Sequence, residues 1–149
     1  LTRHYESQLD FELEVAKQQT NDNPVYYVQY VHARISSIFK KAEEEKGIQT
    51  LSGSPEALSR LTTAEEIALI KQMARYPEVI QTAAECMEPH RIAFFLMELA
   101  AAFHAYYNKH RVLTDDRQLA DARLYLIRAI QTIIRNALGL LGVSAPNSM

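Results

Sequence analysis

The chain has 149 residues, of which 48% are hydrophobic, with few glycines and prolines, so it suits one domain with a core of its own and excludes collagen-like or disordered chains. The single cysteine, Cys86, cannot form an internal disulfide, no apolar run reaches the roughly eighteen residues of a membrane span, and the first residues do not resemble a signal peptide. A net charge of −2 argues against a protein that coats nucleic acid without specificity, although it permits one that grips a few nucleotides.

The first part of the chain contains two predicted helices. Residues 9–18 form a short amphipathic helix with acidic residues early and a lysine late, the order that the helix dipole favours. Asn23 is a good N-cap and Pro24 suits the first helical position, so a long helix is predicted from there to about Lys46. Gly47 is suited to end it, and residues 48–60, rich in Ser, Gly and Pro, are predicted to be a loop with one turn of helix.

The second part is also helical. Thr63, followed by Ala-Glu-Glu, resembles an N-terminal cap for a helix that continues through Arg75, and prolines at 77 and 89 begin two more helices. The helix from Pro89 to Lys109 is apolar over most of its circumference, which is typical of the central helix of a bundle. A last helix is predicted from about Arg117 to Leu138. Since no segment alternates with period two, the predicted fold is an all-α helical bundle of about five to six helices.

The long first helix carries an unusual combination of side chains. At about 100° per residue, Tyr27, Tyr30, Arg34 and Lys41 fall within roughly 60° of one another. The neighbouring arc is apolar and can face a core; its members are Val28, Val31, Ile35, Ile38 and Phe39. Flat rings beside fixed positive charge are suited to bind an unpaired RNA base.

Three segments resemble one family in order and spacing. The first is the run Asn-Pro-Val-Tyr-Tyr-Val-Gln-Tyr-Val-His-Ala-Arg at 23–34, the second is Phe-His-Ala-Tyr-Tyr-Asn-Lys-His-Arg-Val-Leu at 103–113, and the third combines 122–126 with 136–143 and the terminal methionine. Together they resemble the C-terminal, DALR-type anticodon-binding domain of the arginyl-tRNA synthetases, which are class I enzymes. The resemblance implies an α-helical anticodon-binding domain over residues 21–149, with residues 1–20 as the connector that follows a catalytic domain absent from this chain.

The resemblance also implies a function. The domain is expected to recognise the anticodon loop of arginine tRNA, so that the full-length enzyme, arginine-tRNA ligase, can aminoacylate it with ATP. Its expected partners are arginine tRNA and the catalytic domain of the same chain, with no membrane and no DNA, in the cytoplasm. The family's His-x-Gly-His signature and lysine-rich loop are missing from the 149 residues, so this chain alone is expected to be non-catalytic and to hold no cofactor. ATP and magnesium are expected in the catalytic domain.

Three tyrosines are the predicted base-stacking residues. Tyr27 and Tyr30 lie on the open arc of the long helix, and Tyr107 matches a base-stacking position of the family. The alternative for Tyr27 and Tyr30 is that they only cover the edge of the core, as tyrosines often do. The alternative for Tyr107 is a core aromatic, since it lies about 60° from Ile92 around its helix. Arg34 is predicted to pair with a phosphate or a base edge, and the alternative is a solvent-exposed ion pair with a glutamate.

Three further residues complete the predicted RNA site. Arg111 aligns with a second aromatic contact position in some members of the family, and a guanidinium can also stack. Arg128 shares a polar helical face with Arg135 and is predicted to contact phosphate, although a solvated face is the commoner case. Met149 matches a terminal methionine that packs near the anticodon loop, but the residues before it lack the family's usual acidic–basic pair.

Other side chains are given structural interpretations. Arg123 projects near the apolar arc of its helix, so it needs an acidic partner, for which Glu98 is the candidate. Cys86 is expected to be packed rather than reactive. Glu85, Glu88 and His90 are close in sequence, but Pro89 breaks the helix between them, so no shared metal-binding face is expected.

Two alternatives remain open. A related anticodon module occurs in cysteinyl- and glycyl-type synthetases. A different class of function is a helical protein–protein interaction module whose tyrosines dock a partner helix. Binding to RNA weakens steeply as salt rises, whereas that docking is expected to be insensitive to salt.

Overall fold

The structure, a computed structural model, describes residues 23–149. The described residues form helices and loops without a strand, which confirms the predicted all-α bundle over this part of the chain. The predicted helix at 9–18 and the connector at 1–20 lie outside the described residues. In chain order the helices are α1 (Pro24–Lys46), α2 (Pro55–Leu58), α3 (Ala64–Ala74), α4 (Tyr76–Glu85), α5 (His90–Lys109) and α6 (Arg117–Leu140).

Local signals in the sequence set the ends of α1. The Asn23 side chain accepts hydrogen bonds from the backbone N–H groups of Val25 and Tyr26, at 3.1 and 3.4 Å. Gly47 ends the helix with φ of 61°, a conformation that favours glycine, and its N–H donates to the Glu43 carbonyl. The predicted bounds of the long helix are therefore confirmed.

Local sequence signals also set the starts of the short helices α2 and α3. Ser54 caps α2, the single turn predicted within the loop. Thr63 and Glu66 form a capping box at the start of α3, in which each side chain bonds the other residue's backbone N–H. These reciprocal bonds satisfy backbone donors that the first turn of a helix leaves unpaired.

Helix α5 is the centre of the bundle, as predicted. It packs against α1, α3, α4 and α6, while α1 and α2 also pack on α6. Several side chains of α5 are completely or almost completely buried: Phe95, Leu96, Leu99, Phe103 and Tyr106. The core therefore holds α1 and the C-terminal half of α5 side by side, which is the arrangement that the candidate site depends on.

The structure corrects the predicted partner of Arg123. This side chain is buried, as its position on α6 indicated, but its Nε donates to Glu66 Oε1 at 2.8 Å. Glu98 instead lies on an exposed face of α5 and pairs with Arg75 at 3.6 Å. Glu66 rather than Glu98 pairs with Arg123 because the capping box already holds the Glu66 carboxylate at the buried end of α3. A second Arg123 bond, from Nη1 to the Arg111 carbonyl at 2.9 Å, ties down the loop after α5.

The expectation that Cys86 is packed is wrong. Its side chain is exposed at the C-terminal cap of α4. The following residue, Met87, adopts a positive φ of 55° and turns the chain toward α5. The last buried residue of α4 is Ala83, so the apolar face of that helix ends before the cysteine.

Candidate functional site

An aromatic flank forms where α1 meets the C-terminal half of α5; it consists of Tyr27, Tyr30, Arg34, His104 and Tyr107. The His104 ring lies against both tyrosines of α1, with ring centroids 4.9 Å from Tyr27 and 5.9 Å from Tyr30. The planes of Tyr30 and His104 differ by 20°, so these two rings are stacked. The structure thus brings together four residues that the sequence predicts to bind RNA, and adds a histidine to them.

Arg34 and Tyr107 form the second half of this flank. The Arg34 guanidinium carbon lies 5.2 Å from the centre of the Tyr107 ring, close enough for a cation–π contact. The Tyr107 ring in turn stacks on the buried Phe103, with centroids 5.7 Å apart and planes 17° apart. Within residues 23–149 the Arg34 side chain makes no ion pair with a carboxylate. Among these residues the alternative interpretation of Arg34, an exposed ion pair with a glutamate, is therefore excluded.

His104 is the residue of this flank that sequence reasoning missed. Its Nε2 is buried and has no hydrogen-bond partner within the described part of the chain. Burial, with a smaller contribution from the Arg34 charge, lowers the pKa of His104 below its usual value of 6.5, so the ring is neutral at pH 7. The available signal was spacing, because His104 precedes Tyr107 by three residues and so shares its helical face.

A groove of about 490 Å³ opens beside Tyr107. Residues 107–113 form one wall, and Ile38, Lys41 and Glu45 of α1 form the other. Arg111 lies in this wall with an exposed side chain, while its carbonyl is held by Arg123. The groove therefore joins Arg111 to the aromatic flank.

Arg128, which belongs to α6, packs against a different side of α1 from the aromatic flank. Its guanidinium carbon is 3.6 Å from the centre of the Phe39 ring, and its Nη1 donates to Gln131 Oε1 at 2.9 Å. Burial, followed by the charge of Arg135, lowers the pKa of Arg128 from its usual value of 12.5. The Arg128 side chain is thus already engaged within the protein.

The last residues of the chain pack along this same side. Gln29 Nε2 donates to the Ser144 carbonyl at 2.8 Å, and the Nδ1 of the buried His32 lies 2.8 Å from the Pro146 carbonyl. Because a carbonyl only accepts, that histidine nitrogen carries a proton. Ser36 bonds Asn147, and the Met149 side chain remains 53% exposed.

These contacts define a tail flank, made of Gln29, His32, Ser36 and Phe39 of α1, Arg128 and Gln131 of α6, and residues 144–147. Along α1, Phe39 is rotated from Tyr27, Tyr30 and Arg34 by roughly 120–180°. The predicted RNA-binding residues are therefore divided. Tyr27, Tyr30, Arg34, Tyr107 and Arg111 lie on or beside the aromatic flank, whereas Arg128 and Met149 belong to the other side.

Two other kinds of site can be checked over residues 23–149. No group of three or more His, Cys, Asp or Glu side chains is arranged there to hold a metal ion. In the same residues no helix has the length and apolar character needed to cross a membrane.

Comparison with known proteins gives a consistent result. Residues 28–149 match the model of a family described as the DALR anticodon binding domain. The chain is 59% identical over 150 residues to an arginine–tRNA ligase of Desulfosudis oleivorans and 53% identical over 149 residues to one of Syntrophotalea carbinolica. Each comparison covers 100% of this chain and 27% of the relative, so the chain spans about a quarter of their length.

A solved structure agrees with these relatives. The arginyl-tRNA synthetase of Thermus thermophilus superposes with a TM-score of 0.71 and 35% sequence identity. The superposition covers 90% of this chain and 22% of the Thermus chain. The bundle is therefore the fold of one part of that larger protein.

Proposed function

The chain belongs to the DALR anticodon-binding domain family, and from that premise we propose that its aromatic flank binds the anticodon loop of arginine tRNA within a longer arginine–tRNA ligase. One observation carries the assignment to this flank. The Tyr107 ring is only partly buried and lies beneath an arginine that makes no ion pair with a carboxylate within residues 23–149. That pair offers a stacking face and a positive charge at one place, which an unpaired nucleotide requires.

Stacking supplies affinity in this proposal. Tyr27, Tyr30 and Tyr107 each receive or flank a splayed base, and each such contact contributes about 1–3 kcal/mol. In the free chain the rings of Tyr27 and Tyr30 contact His104 instead. A base that inserts there exchanges one ring contact for another, so the ring surface stays covered.

Hydrogen bonds supply selectivity, because every base can stack. We assign one base-edge contact to His104, whose ring contacts both tyrosines and whose Nε2 has no hydrogen-bond partner within residues 23–149. Leaving a buried polar nitrogen unpaired costs about 1–3 kcal/mol, and a base that bonds it removes that cost. Arg34 and Arg111 are assigned to phosphate or base edges.

Arg128 and Met149 are retained as a second and weaker contact area on the tail flank. The exposed Met149 side chain can touch a loop that wraps past the end of the chain. Arg128 must leave Phe39 and Gln131 to reach a phosphate, which reduces its net contribution.

Catalysis is assigned elsewhere. The chain is homologous to about a quarter of the length of arginine–tRNA ligases, and we place ATP and magnesium binding in the parts of those proteins that it does not match. The chain given arginine, ATP and magnesium is expected to form no arginyl-adenylate, as measured by pyrophosphate exchange. Exchange above background would contradict this division.

A binding titration tests the proposal. The affinity of the chain for an arginine-tRNA anticodon stem-loop is measured by fluorescence anisotropy across a salt series, with Tyr27→Ala and Tyr107→Ala alongside. Tyr125→Ala is the matched control, because that tyrosine is 43% exposed on α6 and outside the aromatic flank. Salt-dependent binding that both test variants weaken and the control retains is the expected result.

Other outcomes would contradict it. Binding that both test variants retain would move the RNA site away from this flank. Binding insensitive to salt, or none to the stem-loop at low salt, would favour the protein–protein alternative. Tighter binding to a cysteine-tRNA or glycine-tRNA stem-loop would instead favour the anticodon module of another synthetase.

A further inference from the structure

The groove beside Tyr107 contains two cations without carboxylate partners. Among the described residues, Lys41 and Arg111 make no ion pair. The other two basic residues of the wall, Lys109 and His110, are both held by Glu65, at 2.7 and 3.2 Å. The groove thus contains two basic side chains that are paired with Glu65 and two, Lys41 and Arg111, that make no ion pair within the described residues.

Asp115, whose carboxyl interacts electrostatically with Arg111, is already paired with another cation. Asp115 binds Lys46 at 3.1 Å, and that hydrogen bond, with a smaller contribution from the Arg111 charge, lowers the pKa of the Asp115 carboxyl. Within residues 23–149 Arg111 therefore makes no ion pair of its own.

Geometry links these cations to the aromatic flank. Arg34 and Lys41 are seven residues apart on α1, so they share a face and are separated by roughly 10 Å along the helix. Tyr107 contacts Arg34 and also lines the groove with Lys41. A nucleotide stacked on Tyr107 would have one cation at the ring and two more at the groove.

Glu45, an acidic residue in the groove lining, limits where an anion can bind. Glu45 is one turn beyond Lys41 on α1 and would repel a phosphate at that end. The volume of about 490 Å³ falls in the usual range of ligand pockets, about 300–1,000 Å³. The Tyr107 end of the groove is therefore the part suited to a phosphate group.

We propose that this groove holds the RNA backbone next to the base stacked on Tyr107, with one phosphate bound between Lys41 and Arg111. The inference rests on the proposed function, since it extends the same RNA strand by one nucleotide. It assigns a binding role to Lys41 and gives Arg111 a phosphate rather than a base as its partner.

The test compares two neighbouring lysines. Lys41→Ala removes a groove cation, whereas Lys40→Ala removes the same charge from a lysine that pairs with Glu44 at 3.8 Å and does not line the groove. Affinity for the arginine anticodon stem-loop is measured by anisotropy between low and moderate salt. Lys41→Ala and Arg111→Ala should each weaken binding several-fold at low salt. Each should also reduce the slope of log affinity against log salt, by no more than the roughly 0.7 that one phosphate of a single strand contributes, because the two cations share that phosphate.

A modified RNA locates the phosphate. Stem-loops are prepared with single methylphosphonates, which remove one backbone charge, at each position of the loop. At one position the substitution should weaken binding to the unchanged chain and abolish the difference between that chain and Lys41→Ala. Additive losses at every position would overturn the proposal.

The outcomes separate this inference from the proposed function. If Tyr107→Ala weakens binding while Lys41→Ala matches Lys40→Ala in affinity and salt slope, the groove has no phosphate and the anticodon assignment stands. If Tyr107→Ala also leaves binding unchanged, both proposals are overturned. Circular dichroism of each variant shows whether the helices are intact, and Lys41→Gln serves as a second substitution if Lys41→Ala loses helicity.

Discussion

The two flanks of α1 differ in how far their polar groups are satisfied within the protein. On the tail flank, Gln131 Nε2 donates to Ser36 Oγ at 2.7 Å, and Arg128 donates to Gln131 while covering Phe39. On the aromatic flank, the buried Nε2 of His104 has no partner and Arg34 makes no ion pair, as judged over residues 23–149. Polar groups that lack hydrogen-bond or ion-pair partners indicate a surface that can bind a ligand. A fully hydrogen-bonded network instead indicates a surface that stabilises the fold.

This difference explains why similar residues have different expected roles. Arg34 and Arg128 both lie over an aromatic ring, at 5.2 and 3.6 Å from its centre. Of these two arginines, only Arg128 also bonds a neighbouring side chain within residues 23–149. We therefore expect the aromatic flank to control RNA affinity and the tail flank to control stability.

The largest expected effect concerns the buried ion pair between Glu66 and Arg123, whose guanidinium also holds the Arg111 carbonyl in the loop after α5. Glu66→Ala leaves the buried Arg123 guanidinium without its carboxylate, and breaking such a pair costs about 3–5 kcal/mol in the free energy of unfolding. Glu98→Ala is the control, because its pair with Arg75 is exposed and contributes less than about 1 kcal/mol. Urea unfolding followed by circular dichroism measures both. Equal losses would contradict the assignment of the buried pair.

The second effect compares the two arginines directly. Arg34→Ala should weaken binding to the anticodon stem-loop by about 1 kcal/mol, roughly fivefold, because it removes a contact made to RNA. Arg128→Ala should weaken it less, because its guanidinium is engaged with Phe39 and Gln131. Anisotropy titrations at one low salt concentration measure both. A larger loss for Arg128→Ala would reverse the roles of the two flanks.

The third effect tests the tail flank through two adjacent serines. Ser36→Ala removes a hydroxyl that bonds Gln131 and Asn147, and should lower the free energy of unfolding by about 0.5–1.5 kcal/mol. Ser37→Ala is the control, because its exposed hydroxyl bonds only the Ala33 carbonyl of its own helix. Urea midpoints give the comparison. RNA affinity should change little in both variants, because the tail flank is assigned only the weaker contacts of Arg128 and Met149. A loss of affinity confined to Ser36→Ala and as large as that of Arg34→Ala would make the tail a main RNA contact.

The smallest effect is a pH dependence from His104. Its folded pKa lies below 6.5, so the unfolded state takes up the proton first as pH falls below 6.5, and the folded state loses stability there. His104→Gln should therefore lose less stability than the unchanged chain between pH 7.5 and pH 5.5. Urea unfolding at the two pH values measures this, and His32 and His110 are present in both proteins. Identical losses would show that His104 is not held neutral.

Much of the fold was predictable because its signals are local. Asn23 and Gly47 mark the ends of α1 through their own backbone preferences, and Thr63 with Glu66 marks the start of α3. The apolar circumference of α5 likewise indicates the central helix without reference to any partner. Such features depend on residues within a turn or two of one another.

The remaining features depend on which helices meet. The spacing of Tyr27, Tyr30 and Arg34 predicts a shared arc, but not that His104 of α5 fills it. Arg123 clearly needed an acid, yet choosing Glu66 over Glu98 requires the packing of α3 against α6. Periodicity reports on one helix at a time, so it cannot identify such partners.

The most direct test of the account asks which flank of α1 receives RNA. Amide chemical shifts of the isotopically labelled chain, 17.0 kDa in mass, are measured by NMR while the arginine anticodon stem-loop is titrated in. The account predicts the largest changes at Tyr27, Tyr30, Arg34, His104 and Tyr107. Changes concentrated instead at His32, Ser36, Gln131 and residues 144–147, with the aromatic flank unaffected, would contradict it.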